Sequence, residues 1–463
     1  MQKPKGKRAA ASAPYMLSRK GDRPQARNAQ RKFAVVDLFA GAGGISEGFR
    51  QAGYRVVGGS DVDPDAAATY ALNFPEAESI CGDIRKHGVR ERVDAIARQA
   101  DVIVGGPPCQ AFSQVRNHSR LIDDSRNSLY REFVRVVKEV LPTAFVMENV
   151  TGMDQMGIRE QIISDLSLDG EYLVLAQVVD AANFGVPQTR KRLLFIGVRR
   201  SLNCAPPVLQ GSEATESVML LRSPAKKSTR YDVVGQDSLF GQRVFDALYD
   251  PESLLVVSAA QAISDLAGLK MGNRDDEIKV SDLPAPQSAY QRLMREHGLT
   301  FLCNVQVPRI NADTAIRLAA IPEGGNHRDL PEDLLERYLT GQRWGQDNGT
   351  GKLSRRHFYA YRRLHPKTWA WTLNTKADSV YHYLQSRSLS VREFARLQSF
   401  PDRFVFTTDP QKGMIAGRHD GGPAHSRYRQ VGNAVPPLLA RSIASALEVA
   451  LSKSTARYSA LAA

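Results

Sequence analysis

Short apolar runs, each followed by a turn and then by residues with helical spacing, organise the first two hundred positions. Residues 33–40, 54–60, 78–81, 102–104 and 143–150 read as strands, and 45–52, 65–73, 90–99 and 128–141 as the helices between them. Near-continuous apolar strands belong to a sheet covered on both faces, and five strand-helix steps in order predict an α/β fold with a doubly wound, mostly parallel sheet. Residues 171–181 and 192–199 read as an antiparallel pair joined by NFGVPQTR at 183–190. Regularity stops near residue 200. From 201 to 386 the chain is irregular and carries no internal repeat, with apolar runs at 253–259 and 300–308 and glycine-rich loops at 324–326 and 344–352. Order returns with a short helix at 390–397, capped by Ser390, and a long amphipathic helix at 438–451 after QVGNAVPP.

A chain of 463 residues with a formal charge of +13 can bury a large core and suits a polyanionic partner. The charge is uneven, because residues 1–32 carry ten Lys or Arg against Asp22, so that +9 of the +13 falls there. That segment is poor in large apolar residues and reads as a disordered basic tail, suited to phosphate contacts or simply to solubility. No apolar run approaches the roughly 20 residues needed to cross a bilayer, and the N-terminus lacks an apolar signal core, so a cytoplasmic protein without a membrane partner is expected. Cys81, Cys109, Cys204 and Cys303 are scattered without a C-x-x-C pair, which argues against a zinc site or a disulfide framework.

The candidate chemistry gathers at strand ends. DVIVGGPPCQAFS at 101–113 brings Cys109 to the tip of the fourth strand behind two glycines and two prolines, either as a positioned nucleophile or as a buried structural thiol. The polar stretch 114–124 that follows suits a lid. Glu148, at the end of the fifth strand, is an acid/base candidate, since partial desolvation raises a carboxyl pKa toward neutrality. Glycines 41, 43 and 44 between the first strand and its helix suit a nucleotide-like cofactor or tight packing alone. Asp61, at the tip of the second strand, could grip a ribose, whereas Asp63 before Pro64 looks like a helix cap. Asp83 could accept from an adenine amino group or serve a turn. Arg190 and Arg192 point to one face, suited to phosphate, or to a carboxylate and a ring oxygen, or to a charged strand edge. Basic and aromatic residues interleave over 352–383, among them Arg355, Arg356, Tyr361, Arg363 and Trp369, in a mixture that suits nucleic acid or a charged surface.

Taken in order, DLFAGAGG at 37–44, GDI at 82–84, GGPPCQAFS at 105–113, ENV at 148–150, QTRKR at 188–192, RSLSVREFARLQSFP at 387–401 and QVGNAVPP at 430–437 resemble the motif series of the C5-cytosine-specific DNA methyltransferases. The resemblance implies S-adenosyl-L-methionine as cofactor and a flipped cytosine in double-stranded DNA as substrate. It implies a catalytic set of Cys109, Glu148, Arg190 and Arg192. Around the cofactor it implies Phe39, Gly41, Gly43, Gly44, Asp61, Asp83, Ile84, Gly106, Pro108, Leu129, Asn433 and Val435. It further implies a Rossmann-like catalytic domain from 33–200 and 387–453, discontinuous around a target-recognition domain at 201–386. The insert is long for the family's compact members, a domain's worth of chain. A monomer is expected, acting at the nucleoid, with room for a cognate restriction endonuclease. An RNA methyltransferase and a catalytically idle DNA-binding regulator are the competing readings; retention of both Cys109 and Glu148 argues against the second.

Overall fold

The computed structural model describes residues 33–108, 128–156, 158–222, 229–233, 250–272, 275–339, 360–408 and 423–461. Cys109, the stretch 114–124, the basic segment 1–32 and the first part of the 352–383 mixture lie outside them.

The strands are β1 (Ala34–Leu38), β2 (Arg55–Asp61), β3 (Glu78–Cys81), β4 (Val102–Gly105), β5 (Ala144–Val150), β6 (Tyr172–Asp180) and β7 (Lys191–Arg199). They form one sheet in the order β3-β2-β1-β4-β5-β7-β6. β1 to β5 pair in parallel, while β7 runs antiparallel to both β5 and β6. The expected sheet and the expected antiparallel pair are both present. Reversal of β7 has a consequence for chemistry: its first residues sit at the same sheet edge as the C-terminal tips of β1 to β5.

The intervening helices are α1 (Gly44–Gln51), α2 (Pro64–Asn73), α3 (His87–Ala97), α4 (Ser128–Val140) and α5 (Arg159–Ser167). Because side chains alternate across a strand, neighbouring strand residues serve opposite faces. Val35, Val104 and Val146 pack with Phe49 of α1 and Tyr70 of α2, while Val36, Ile103 and Phe145 pack with Ile96 of α3, Phe133 of α4 and Ile162 of α5. Each fully buried aliphatic or aromatic side chain contributes about 1.5–3 kcal/mol.

The insert is more ordered than its sequence suggests. It contains α6 (Ala259–Ile263), α7 (Ala289–Arg295), α8 (Ala312–Ala320) and α9 (Glu332–Leu339), together with a short antiparallel pair, Glu277–Lys279 with Phe301–Cys303. The first three helices start at Ser258, Ser288 and Asn311, each accepting from a backbone N–H of the first turn. Val257, Ala262, Tyr290 and Met294 join the core on the α1 face of the sheet, whereas Leu318, Ile321, Tyr338, Tyr361 and Tyr381 form a separate cluster. Residues 360–383 turn much of their expected nucleic-acid chemistry inward. Tyr361 and Trp369 are buried, and Arg363 donates to the carbonyls of Leu318, Ile321 and Tyr383.

The C-terminal part supplies α10 (Val391–Leu397), α11 (Pro423–Asn433) and α12 (Pro437–Leu461). Ser390 and Glu393 cap α10 reciprocally, and Arg396 within it is fully buried between Asp402 and Asp265 of the insert. QVGN, expected as a loop before a helix, is the last turn of α11. The stretch His425–Ser452 is long and apolar enough for a membrane span by length and composition, in contrast to the sequence reading. Its Leu439, Ala440, Ile443 and Leu447 are buried in the core that also holds Ile45 and Phe49 of α1. The two helices cross at Gly48, where a Cβ would stand 2.4 Å from the Pro437 carbonyl oxygen.

Candidate active site

A cavity of about 600 Å³ opens along the C-terminal edge of β1 to β5. Its walls come from the loops after β1, β2, β3 and β4, the end of β5, the start of β7 and the end of α11. In a doubly wound sheet this edge is where loops diverge on either side of the strand-order reversal and leave a crevice.

Nearly all the described residues singled out from sequence meet there. Phe39, Gly41, Gly44, Asp61, Asp83, Ile84, Gly106, Pro108, Leu129, Glu148, Arg190, Arg192, Asn433 and Val435 line the cavity. Gly43 does not. It adopts φ 100° as the residue capping α1, and a Cβ on it would press into the Phe74 ring at 2.5 Å, so its role is the turn and the packing beneath it. Cys109 follows the cavity-lining Pro108 but lies outside the described residues.

The wall around the glycine turn is fixed by contacts across the chain. Phe39 takes the left-handed conformation at φ 59°, an uncommon backbone for a bulky side chain, at the lip of the cavity. A Cβ on Gly44 would stand 2.2 Å from the Val435 carbonyl oxygen, so glycine there permits contact between the start of α1 and the segment after α11. Beneath the turn, buried Asp37 accepts from Ser46 N at 3.2 Å and Ser46 Oγ at 2.9 Å, and Ser46 Oγ also meets the Tyr70 hydroxyl at 3.0 Å. Burial pushes the Asp37 carboxyl up to about 7, against the lowering effect of the Ser46 bonds.

Asp61 spends both carboxylate oxygens on the backbone, accepting from Gly41 N and Asp63 N at 2.8 Å each. Burial raises its pKa above the ordinary carboxylate value. Asp63 caps α2 by accepting from Asp65 N at 3.1 Å, and its other oxygen pairs with Arg429 Nη2 at 2.8 Å. Asp83 is gripped by Arg85, with Nε at 2.9 Å and Nη2 at 2.7 Å, and the Arg85 bonds hold its carboxyl down at about 2.

The other end of the cavity carries the acid/base candidate. Glu148 Oε1 lies 2.5 Å from Arg192 Nε, with both side chains largely buried; the contact is an ion pair in distance but outside hydrogen-bond geometry. A Cβ on Gly106 would come within 2.9 Å of Glu148 Oε2, so the glycine leaves room for the carboxylate. Asn149 turns its amide to the Pro107 carbonyl at 3.1 Å and ties the end of β5 to the Pro-Pro turn.

Arg190 is buried, and it donates to the carbonyls of Gly432 at 2.8 Å and Leu373 at 3.3 Å. Burial first, and the Arg192 charge second, push its pKa well below the ordinary guanidinium value. The two arginines therefore differ: Arg192 faces Glu148, whereas Arg190 clamps the insert and the end of α11 to β7. Sequence reasoning passed over Asn149, Arg85 and Arg429 as site residues. The first follows Glu148 directly and the last stands one residue before QVGN, so position beside a motif was the available signal.

A doubly wound sheet with one antiparallel strand, glycine turn and strand-tip carboxylates lining one crevice, defines a Rossmann-like fold. A crystal structure assigned as a DNA modification methyltransferase encoded within a prophage of Escherichia coli shares it, with a TM-score of 0.60 and 24% identity over 91% of this chain and 100% of that one. The model of the C-5 cytosine-specific DNA methylase family matches residues 33–449, and the chain belongs to that family. Among curated relatives, type II methyltransferase M.DdeI of Desulfomicrobium norvegicum is 32% identical over 417 residues, covering 89% of this chain and 87% of the relative. Type II methyltransferase M.AgeI of Thalassovita gelatinovora is 30% identical over 464 residues, covering 90% and 100%. The DNA (cytosine-5-)-methyltransferase M.ApeKI of Aeropyrum pernix is 28% identical, covering 90% and 98%. The enzyme class is thus DNA (cytosine-5-)-methyltransferase.

Proposed function

We propose that the protein methylates C5 of a cytosine within a specific sequence of double-stranded DNA, as the modification enzyme of a type II restriction-modification system or as a solitary methylase, with S-adenosyl-L-methionine bound in the crevice. The observation that carries the reading is the pairing of Glu148 with Arg192 at the end of the same cavity whose other end is built from the glycine turn and Asp61. A volume of about 600 Å³ suits a ligand of that size. The donors and acceptors along it fit the cofactor: Asp61 for ribose hydroxyls, Asp83 and Ile84 for adenine, Phe39 for an aromatic face, and the backbone around Gly41, Gly44, Asn433 and Val435 for the amino-acid end. Gly106, Pro108 and Leu129 complete the wall beside the reacting centre. The cofactor supplies an electrophilic methyl group on a sulfonium.

The residues of the chain do the rest. C5 of cytosine is too weak a nucleophile to take a methyl group unaided, so the Cys109 thiolate adds to C6 and gives an enamine. Glu148 hydrogen-bonds N3 and the exocyclic amine and hands a proton to N3 as negative charge develops on the ring. Arg192, beside Glu148, meets the base oxygen and keeps the carboxyl aimed, while Arg190 holds the wall from behind. After C5 takes the methyl group it gives up its proton to water, the C6–S bond breaks as N3 returns its proton to Glu148, and Cys109 leaves as the thiolate. Both faces of the ring must be reached, so the base has to leave the stack. The insert 201–386 is the target-recognition domain in this scheme, and the basic segment 1–32 adds phosphate contacts. The enzyme acts as a monomer in the cytoplasm.

Labelled S-adenosylmethionine offered with duplex DNA or with tRNA tests the reading. Label in DNA alone, and a covalent complex with 5-fluorocytosine DNA that Cys109→Ser abolishes, are the expected results. Label in tRNA alone would make the protein an RNA methyltransferase, and equal labelling of DNA by Cys109→Ala would remove the covalent mechanism.

A further inference from the structure

Asp61 has both carboxylate oxygens fixed by backbone N–H groups, and one of those groups belongs to Asp63. What fixes Asp63 comes from far along the chain. Its Oδ2 pairs with Arg429 Nη2 at 2.8 Å, and the same guanidinium lies 4.0 Å from Asp65. Arg429 stands on α11 beside Gln430, whose side chain is joined at 2.6 Å to Thr69 of α2, and Ser426 of the same helix donates to Asp65 at 2.6 Å. A polar seam thus joins α11 to α2, and its cation stands against Asp63 and Asp65, just after Asp61 in the chain.

We propose that Arg429 is a positioning residue for the cofactor: acting through Asp63, it holds the turn after β2 that aims Asp61 into the cavity, and it offsets the repulsion among Asp61, Asp63 and Asp65. The inference rests on the cofactor reading above. Two consequences separate this role from general support of the fold. The turn can accept a ribose without reorganising, because Asp61 already has its rotamer fixed through Gly41 and Asp63. The carboxylate form of Asp61, the form that accepts from two hydroxyls, is opposed by burial and by the Asp63 charge, and a cation paired with Asp63 offsets that charge. Among the described residues, the charged and titratable groups facing this corner are Asp37 on β1, Cys81 opposite Asp61 on β3, Asp63 and Asp65 at the start of α2, Asp83 and Arg85 across the cavity, and Arg429 itself.

The test is titration of the full-length chain with S-adenosylmethionine from pH 5 to pH 8, with thermal unfolding alongside. Wild type binds. Arg429→Ala should weaken binding about three- to fivefold at pH 7, the range of a partly exposed ion pair, and should move the acid-side loss of affinity to higher pH. Arg429→Lys, which keeps the charge, should bring the pH profile back toward wild type. Asp63→Asn, which keeps the helix cap, should weaken binding at pH 7 without moving that loss upward, because it also removes a like charge from beside Asp61. Should Arg429→Ala fail to fold, Arg429→Gln takes its place under the same criteria. Superimposable affinity and pH profile for wild type and the neutral variant would overturn the inference while leaving the cofactor reading intact. Lack of any rescue by lysine would also overturn it. A wild-type protein that binds no S-adenosylmethionine would remove both.

Discussion

Glu148 and Arg192 approach to 2.5 Å although they lie on strands of opposite direction, because the β5–β7 register sets Val150 opposite Arg192 and Glu148 opposite Leu194. Two residues of the same strand face lie side by side across the pair, so a carboxylate and a guanidinium meet at the lip of the cavity. A charged pair held mostly out of water loses far more when one partner is removed than when both are.

Glu148→Gln leaves the Arg192 charge without its partner and should therefore cost stability, while cofactor affinity is kept and kcat falls by roughly 10²–10⁴, the span of a lost general acid. Single-turnover methylation of duplex DNA, with S-adenosylmethionine binding as control, measures it. A fall in cofactor affinity equal to the fall in rate would assign Glu148 to binding.

Gly106→Ala and Gly44→Ala should fail differently. The first puts a methyl group 2.9 Å from Glu148 Oε2, closer than a side chain normally sits, and should lower kcat more than it raises KM for the cofactor. The second drives a Cβ to 2.2 Å from the Val435 carbonyl, parts α1 from the C-terminal segment, and should abolish cofactor binding. Steady-state kinetics on both variants separate the two effects.

Arg190→Met should destabilise the protein by about 2–5 kcal/mol, because the Gly432 and Leu373 carbonyls lose a charged donor inside the protein. Arg190→Lys should recover only part of this, since an ammonium cannot span both acceptors as the planar guanidinium does. Urea denaturation checks both values. Wild-type stability in Arg190→Met would show that the clamp contributes nothing to the fold.

Asp37 predicts an unusual pH dependence. Burial pushes its folded pKa up to about 7, above the ordinary carboxylate value, so the folded state holds the proton more tightly than the unfolded chain. Its contribution is then fully present below about pH 4 and is lost as pH rises through 7. Asp37→Asn, which can still accept from Ser46, should be more stable than wild type at pH 8, with the advantage shrinking toward pH 4. Denaturation midpoints at several pH values measure this, and a constant difference across the range would contradict it.

Much of this was legible from residue order. The alternation of apolar runs and helical spacing over residues 33–200 is local, and local patterns of period 2 and 3.6 decide which segments become strands and helices. Motif order carried the family, and strand-tip position carried Glu148, Asp61 and Asp83. The insert was far less legible. Its helices are short, and charged residues such as the buried Arg317 and the half-buried Arg363 are held by distant partners, so no window of sequence reports their placement.

By itself, then, the sequence determined a parallel α/β sheet, the crevice edge and the chemical types gathered along it, because those follow from local periodicity and from residues next to strand ends. Only the tertiary structure decided how apparently equivalent residues divide their work. Arg190 and Arg192 stand two apart at the start of β7, yet one clamps carbonyls from residues 373 and 432 and the other faces Glu148. Gly43 and Gly44 are neighbours, yet one packs on Phe74 and the other admits Val435. Arg429 reaches Asp63 across 366 positions. Such assignments depend on which distant backbone arrives at each side chain, and that is fixed by packing of the whole chain.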